Sequence, residues 1–159
     1  MTEPEETIEA NAVALLAAAD PDFDVVGALQ PAPDGVEKLA PLSRIGVTAD
    51  VASQDLDWIG PGCPCTYTLN VAVQVAFADD KTGSRFRDTC RKVRGVLTSL
   101  TGDGCAALSG DGFYCDEFLL NSTVTADTAV GEGESNTKSY SATVKGRFIP
   151  PTNSNSNSN

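Results

Sequence analysis

Four close carboxylate pairs, Asp22/Asp24, Asp55/Asp57, Asp79/Asp80 and Asp116/Glu117, are the side chains of this sequence best suited to acid–base chemistry. Two carboxyl groups can cleave a glycosidic bond when a cleft holds them at the right separation. Each pair here falls in or beside an expected loop, where acidic residues usually shape turns. The chain has no histidine. It therefore has no His-based triad and no imidazole to act as a general base near neutral pH. No catalytic residue is expected, and the sequence reads as a non-enzyme.

The thiols are the other chemical candidates. There are five of them, Cys63, Cys65, Cys90, Cys105 and Cys115. Cys63-Pro64-Cys65 is too tightly spaced for a zinc knuckle, which wants two to four residues between paired cysteines. An odd count behind an acidic start, Met-Thr-Glu-Pro-Glu-Glu, reads as reduced thiols in a chain kept in the cytoplasm unless an assembly carries it out. Cys105 and Cys115 flank a Gly-rich loop and could oxidise to each other, while plain buried or loop thiols are the simpler reading. Neither a metal nor a cofactor is expected.

Charge carries more information than chemistry. Six of the eleven Lys and Arg lie between Lys81 and Arg94, while the whole chain has a formal net charge of -11 and a pI near 4.2. Phosphate binding needs net positive surface, so nucleic acid is not expected as the main partner. Such segregation suits docking on other proteins or on copies of itself. The candidate interface residues are Arg87, Arg91 and Arg94 on the basic side, with Asp79, Asp80, Glu132 and Glu134 as acidic complements. Trp58 joins them. It sits in Asp-Leu-Asp-Trp-Ile-Gly-Pro-Gly, where a loop tryptophan plugs a core or anchors a partner.

The elements that must position these groups follow from periodicity. Thr2 and Glu5 have capping-box spacing with Pro4 in the first turn, and Ile8, Ala12, Leu15, Leu16 and Ala19 recur at helical spacing until Asp20-Pro21 ends the run. Residues 21–42 read as a connection. Alternation marks strands at 43–51 and 66–77, the latter with Tyr67, Leu69, Val71, Val73, Val75 and Phe77 on one face.

A second helix is expected at 84–100, with Phe86, Cys90, Val93, Leu97 and Leu100 as its buried stripe. Arg87, Arg91 and Arg94 form a parallel stripe beside it. Their stems can lie along the core edge while the heads stay wet, either bridging to the chain's own carboxylates or meeting an acidic neighbour. Residues 101–112 read as a turn region with two Gly-Asp-Gly triplets. A strand follows at 113–126 with a bulge around Phe118-Leu119-Leu120, then an acidic loop at 130–136 and a last strand at 138–148. No apolar run approaches the roughly 20 residues that span a bilayer.

The expected fold is α+β, a single antiparallel sheet of about four strands with two helices packed on one face, in the order α-β-β-α-β-β. Residues 1–149 form one domain, and 150–159 are a low-complexity Asn/Ser tail.

This order resembles the tail-terminator proteins of long-tailed bacteriophages, also grouped as minor tail or tail-completion proteins. The resemblance rests on the N-terminal helix, the strand Tyr67–Phe77 running into Ala-Asp-Asp, the basic helix, and the closing strands. The first of these carries Leu-Ser-Gly-Asp-Gly-Phe-Tyr-Cys-Asp-Glu-Phe, and the second ends Val-Lys-Gly-Arg-Phe. Cys-Pro-Cys and the long acidic loop depart from the family pattern. The resemblance implies a virion protein assembled in the host cytoplasm, a homohexameric ring on the head-proximal end of the tail tube. Its partners would be the tube protein and the neck or connector proteins, with DNA passing the lumen without specific binding and no membrane involved. Another neck component, such as a head-closure protein, is the alternative reading, followed by a small cytosolic enzyme or binding adaptor.

Overall fold

The computed structural model describes residues 3–26, 43–54, 62–76, 82–121 and 135–149. Asp55, Asp57, Trp58, Asp79, Asp80, Glu132, Glu134 and the Asn/Ser tail lie outside the described residues.

The fold is α+β. Helix α1 (Pro4–Ala19) is followed by strands β1 (Phe23–Val26), β2 (Ser43–Gln54) and β3 (Pro64–Ala76). Helix α2 (Ser84–Ser99), a 3-10 helix (Gly102–Leu108) and strands β4 (Phe113–Leu120) and β5 (Ser135–Phe148) complete it. One sheet holds all five strands in the order β1-β2-β3-β5-β4.

The expected four-stranded antiparallel sheet needs one correction. β1 adds a fifth strand, and it pairs with β2 in parallel, Phe23 opposite Ser43 and Val26 opposite Gly46. Four residues among Asp and Pro carry too little alternation to signal a strand. What places β1 is the return of the chain after α1 onto an open sheet edge.

β3 lies at the sheet's centre, paired with β2 and β5 along almost its whole length. Its odd-numbered residues from Cys65 to Val75 are buried, as the alternation requires. They share a face with Ile45 and Val47 of β2, with Tyr140, Ala142 and Val144 of β5, and with Phe113, Cys115 and Phe118 of β4. That face is covered by Ile8, Ala12 and Leu16 of α1 and by Cys90, Val93 and Leu97 of α2. Phe86 is only partly buried at the margin, and Ala19 is exposed at the end of α1.

Further differences are local. The bulge in β4 falls between Cys115 and Glu117 rather than at 118–120. The extra residue shifts the side-chain phase by one, which is what lets Phe113, Cys115 and Phe118 all enter the core. The turn region 101–112 contains the 3-10 helix, entered through Gly102 at φ 65° and buried through Cys105 and Leu108. β5 begins three residues earlier than expected, at Ser135.

The capping box of α1 starts at Glu3, whose N–H donates to Glu6 Oε2 at 3.2 Å, one residue later than Thr2. Gly146 of β5 is fixed by close approach: a Cβ there would lie 2.2 Å from the Tyr114 carbonyl oxygen and 2.5 Å from the Phe113 ring.

Hydrogen bonds fasten the helical layer to the rest. Thr7 Oγ1 donates to the Asp111 carbonyl at 2.6 Å, and Asn11 Nδ2 donates to the carbonyls of Leu108 and Ser109 at 3.2 Å each. Glu9 Oε1 accepts from the Ala49 N–H at 2.8 Å, tying α1 to β2. The hydroxyls of Ser43 and Thr89 pair at 2.9 Å in the interior, tying α2 to β2. No helix among the described residues is long and apolar enough to cross a membrane.

Candidate docking notch on the basic helix

In α2 the residues Cys90, Val93 and Leu97 point to the sheet, so positions 87, 91 and 94, one step round the helix, stand at the edge of the packed face. The structure brings Arg87, Arg91 and Arg94 together around a notch of about 240 Å³ between α2 and β5. Phe86, Cys90 and Tyr140 supply its apolar lining, and Lys138 of β5 adds a fourth cation.

The floor is rigid. Tyr140 is buried, and its hydroxyl donates to the Cys90 carbonyl at 3.2 Å. Burial, with Cys90 beside it, pushes the Tyr140 phenol well above its usual range, and burial likewise raises the Cys90 thiol. Both stay neutral, so the positive charge of the notch comes from its rim alone. Lys138 Nζ sits 5.4 Å from the centre of the Tyr140 ring, a cation–π distance.

The rim cations differ in how they are satisfied. Arg91 pairs with Asp88. Arg87 donates to the Thr82 carbonyl at 3.3 Å. Arg94 and Lys138 face no carboxylate among the described residues. The far flank of α2 is neutralised internally. There Lys92 bridges Asp20 and Asp88, which holds both carboxyls below their usual range. Salt bridging to the chain's own carboxylates therefore accounts for one side of the basic helix, and the notch side keeps surplus charge.

A second patch has the opposite character. Beside β4 and the 3-10 helix, Asp103, Asp116 and Glu117 surround a surface hollow of about 490 Å³ together with Leu119. Leu119 is 44% exposed and Tyr114, on the same strand, 42%. Asp116 is gripped by Arg147 through two hydrogen bonds of 3.1 and 3.0 Å, and Glu117 approaches Lys145 at 3.8 Å. Asp116 and Glu117 are thus exposed, and each is paired with a cation of β5. Asp24 of the Asp22/Asp24 pair is likewise engaged, 3.8 Å from Arg44.

All five cysteines are buried thiols. Cys105 Sγ donates to the Cys115 carbonyl at 3.6 Å, across the turn between the 3-10 helix and β4, and both residues of the pair that could oxidise to each other are free thiols. Among the described residues no three metal-ligating side chains gather.

Lys138 and Tyr140 were absent from the candidate set. Their signal was in the alternation of β5, where 138 shares its face with 140, 142 and 144. A lysine in phase with core residues must emerge at the margin of the helical layer.

No family model matches the sequence, and no curated protein matches it. Among solved structures, the chain is similar to one from a particle described as "Virion of native gene transfer agent (GTA) particle", at 16% identity and a TM-score of 0.48 over 89% of this chain and 90% of that one.

Proposed function

We propose that this chain is a structural virion protein that forms a ring on the head-proximal end of a phage-type tail tube, ends tube polymerisation and joins the tail to the neck. The observation that carries this reading is the pair of unlike patches on one subunit. A notch rimmed by cations lies on the α2 side, two of them without carboxylate partners among the described residues, and an acidic patch with exposed apolar side chains lies at the β4 edge. Head-to-tail rings need two different complementary surfaces on each copy. The succession of N-terminal helix, long central strand, basic helix and closing strand pair, on which the resemblance to tail terminators rests, agrees with it.

In this reading the six basic residues of 81–94 provide register and encounter rate more than affinity. The excess negative charge elsewhere lines the lumen, so that DNA passes without sticking. The chain uses no cofactor and performs no catalysis. The test is native mass spectrometry of the wild-type chain and of the triple variant Arg87→Glu/Arg91→Glu/Arg94→Glu. The wild type is expected as a hexamer and the variant as a monomer. A monomeric wild type at every concentration, or a variant that still assembles, refutes the reading.

A further inference from the structure

The notch and the β4 edge both combine apolar side chains with charge, and the charge is of opposite sign. The notch is a hole: about 240 Å³ with Phe86, Cys90 and Tyr140 inside and Arg87, Arg91, Arg94 and Lys138 around the mouth. The β4 edge offers an exposed apolar side chain: Leu119, 44% exposed, bordering the same hollow as Glu117 and Asp103. An exposed leucine alone is ordinary surface. An exposed leucine beside carboxylates, on a chain that also has an apolar notch rimmed by cations, is a candidate pair.

We infer that the notch receives the β4 edge of a second copy of this chain, with Leu119 entering between Phe86 and Tyr140 while Asp103 and Glu117 face Arg94 and Lys138. This rests on the ring reading and specifies its contact. Three observations argue for a second copy as the occupant. Arg94 and Lys138 have no carboxylate partner among the described residues of their own chain. Asp103 has no ion pair among them either. The net charge of -11 means that any neighbouring copy presents mostly acidic surface to a basic mouth.

The geometry is also heterologous. Tyr140 and Lys138 belong to the sheet face that packs on the helices, beyond the point where β4 pairing ends at Leu120 opposite Ala142. Leu119 alternates to the other face, opposite Thr143. One copy therefore cannot bring its own Leu119 to its own notch. Glu117 must share its carboxylate between Lys145 and the incoming cations, and an exposed pair at 3.8 Å yields easily.

The experiment mixes two single-cysteine additions. Leu119→Cys and Lys138→Cys are each treated with a short bismaleimide, alone and as an equimolar mixture, beside a wild-type control for the buried native thiols. Covalent dimer is expected in the mixture only. Leu119→Arg is expected to weaken self-association about 30-fold, the effect of losing an interface anchor. If the wild type assembles but the mixture yields no more dimer than the single variants, or Leu119→Cys cross-links to itself, the contact is wrong while the ring reading stands. If Leu119→Arg assembles as tightly as the wild type, the contact is equally wrong. A wild type that stays monomeric refutes both. Linkage of notch residues to 122–134 of the same chain would identify an internal occupant and overturn the inference.

Discussion

At the scale of single residues, burial holds three cysteines and two tyrosines in their neutral forms. Cys115 is pushed up to about 12 by burial and by Cys105 beside it, and burial raises Cys65, Cys90, Tyr67 and Tyr140 as well. A thiol that cannot ionise is neither a nucleophile nor a metal ligand at neutral pH. The same shifts set a pH limit on stability. In the unfolded chain a cysteine titrates near ~8.5 and a tyrosine near ~10. Above those values the unfolded state sheds protons that the folded state retains, so alkali favours unfolding. Stability contributed by these neutral groups is complete below pH ~8 and is lost as the pH rises toward the folded values. Cys115 alone gives a fall of about 1.4 kcal/mol per pH unit between pH ~10 and ~11. Urea midpoints measured from pH 7 to 11 check this; a flat profile above pH 9 contradicts it.

At the scale of elements, the helical layer is held to the sheet by apolar packing and also by polar side chains aimed at backbone carbonyls. Asn11 is the clearest case, with Nδ2 donating to both Leu108 and Ser109 where the 3-10 helix ends. Asn11→Ala removes the donor and leaves part-buried carbonyls unpaired, which is expected to cost about 1–2 kcal/mol. Hydrogen exchange at 109–111 should quicken more than exchange in β3, because the lost bonds are local. Equal acceleration throughout would mean that α1 is not the clasp of that turn.

This turn also shows where element-level reading of the sequence stops. Two Gly-Asp-Gly triplets look like loop punctuation. Cys105 and Leu108 are nevertheless drawn inward as a 3-10 turn, because the space between α1 and β4 has to be filled. The strand and helix faces were legible in β3 and α2, whose alternation and 3.6-residue spacing match the observed burial almost residue by residue.

At the scale of the whole molecule, the organising property is the separation of charge. Lys92 with Asp20 and Asp88 neutralises one flank of α2, while the notch flank keeps Arg94 and Lys138 in excess. Assembly driven by such patches depends on ionic strength. Exposed charges feel one another over about 10 Å at 0.1 M salt and about 3 Å at 1 M. Self-association is therefore expected to weaken at least tenfold between 0.05 and 0.5 M sodium chloride, mostly through a slower on-rate. Sedimentation velocity across that range measures it. Association that strengthens with salt would point to an apolar interface elsewhere on the surface.

The sequence by itself determined which side chains face inward along β3 and α2, that no imidazole chemistry is available, and that six of the eleven basic residues are gathered between Lys81 and Arg94. These are properties of neighbouring residues, set by the two-residue period of a strand, the 3.6-residue period of a helix and simple composition. Only the tertiary structure decided that Phe23–Val26 joins the sheet in parallel, that the β4 bulge falls after Cys115, and that Lys138 stands beside Arg94 across the mouth of a notch. Those facts depend on which distant segments pack together. Strand pairing and helix docking minimise exposed apolar area and unpaired backbone over the whole chain; the alternation of β5 puts Lys138 in phase with the core, but no local pattern names Arg94 as its neighbour or residues 23–26 as a strand.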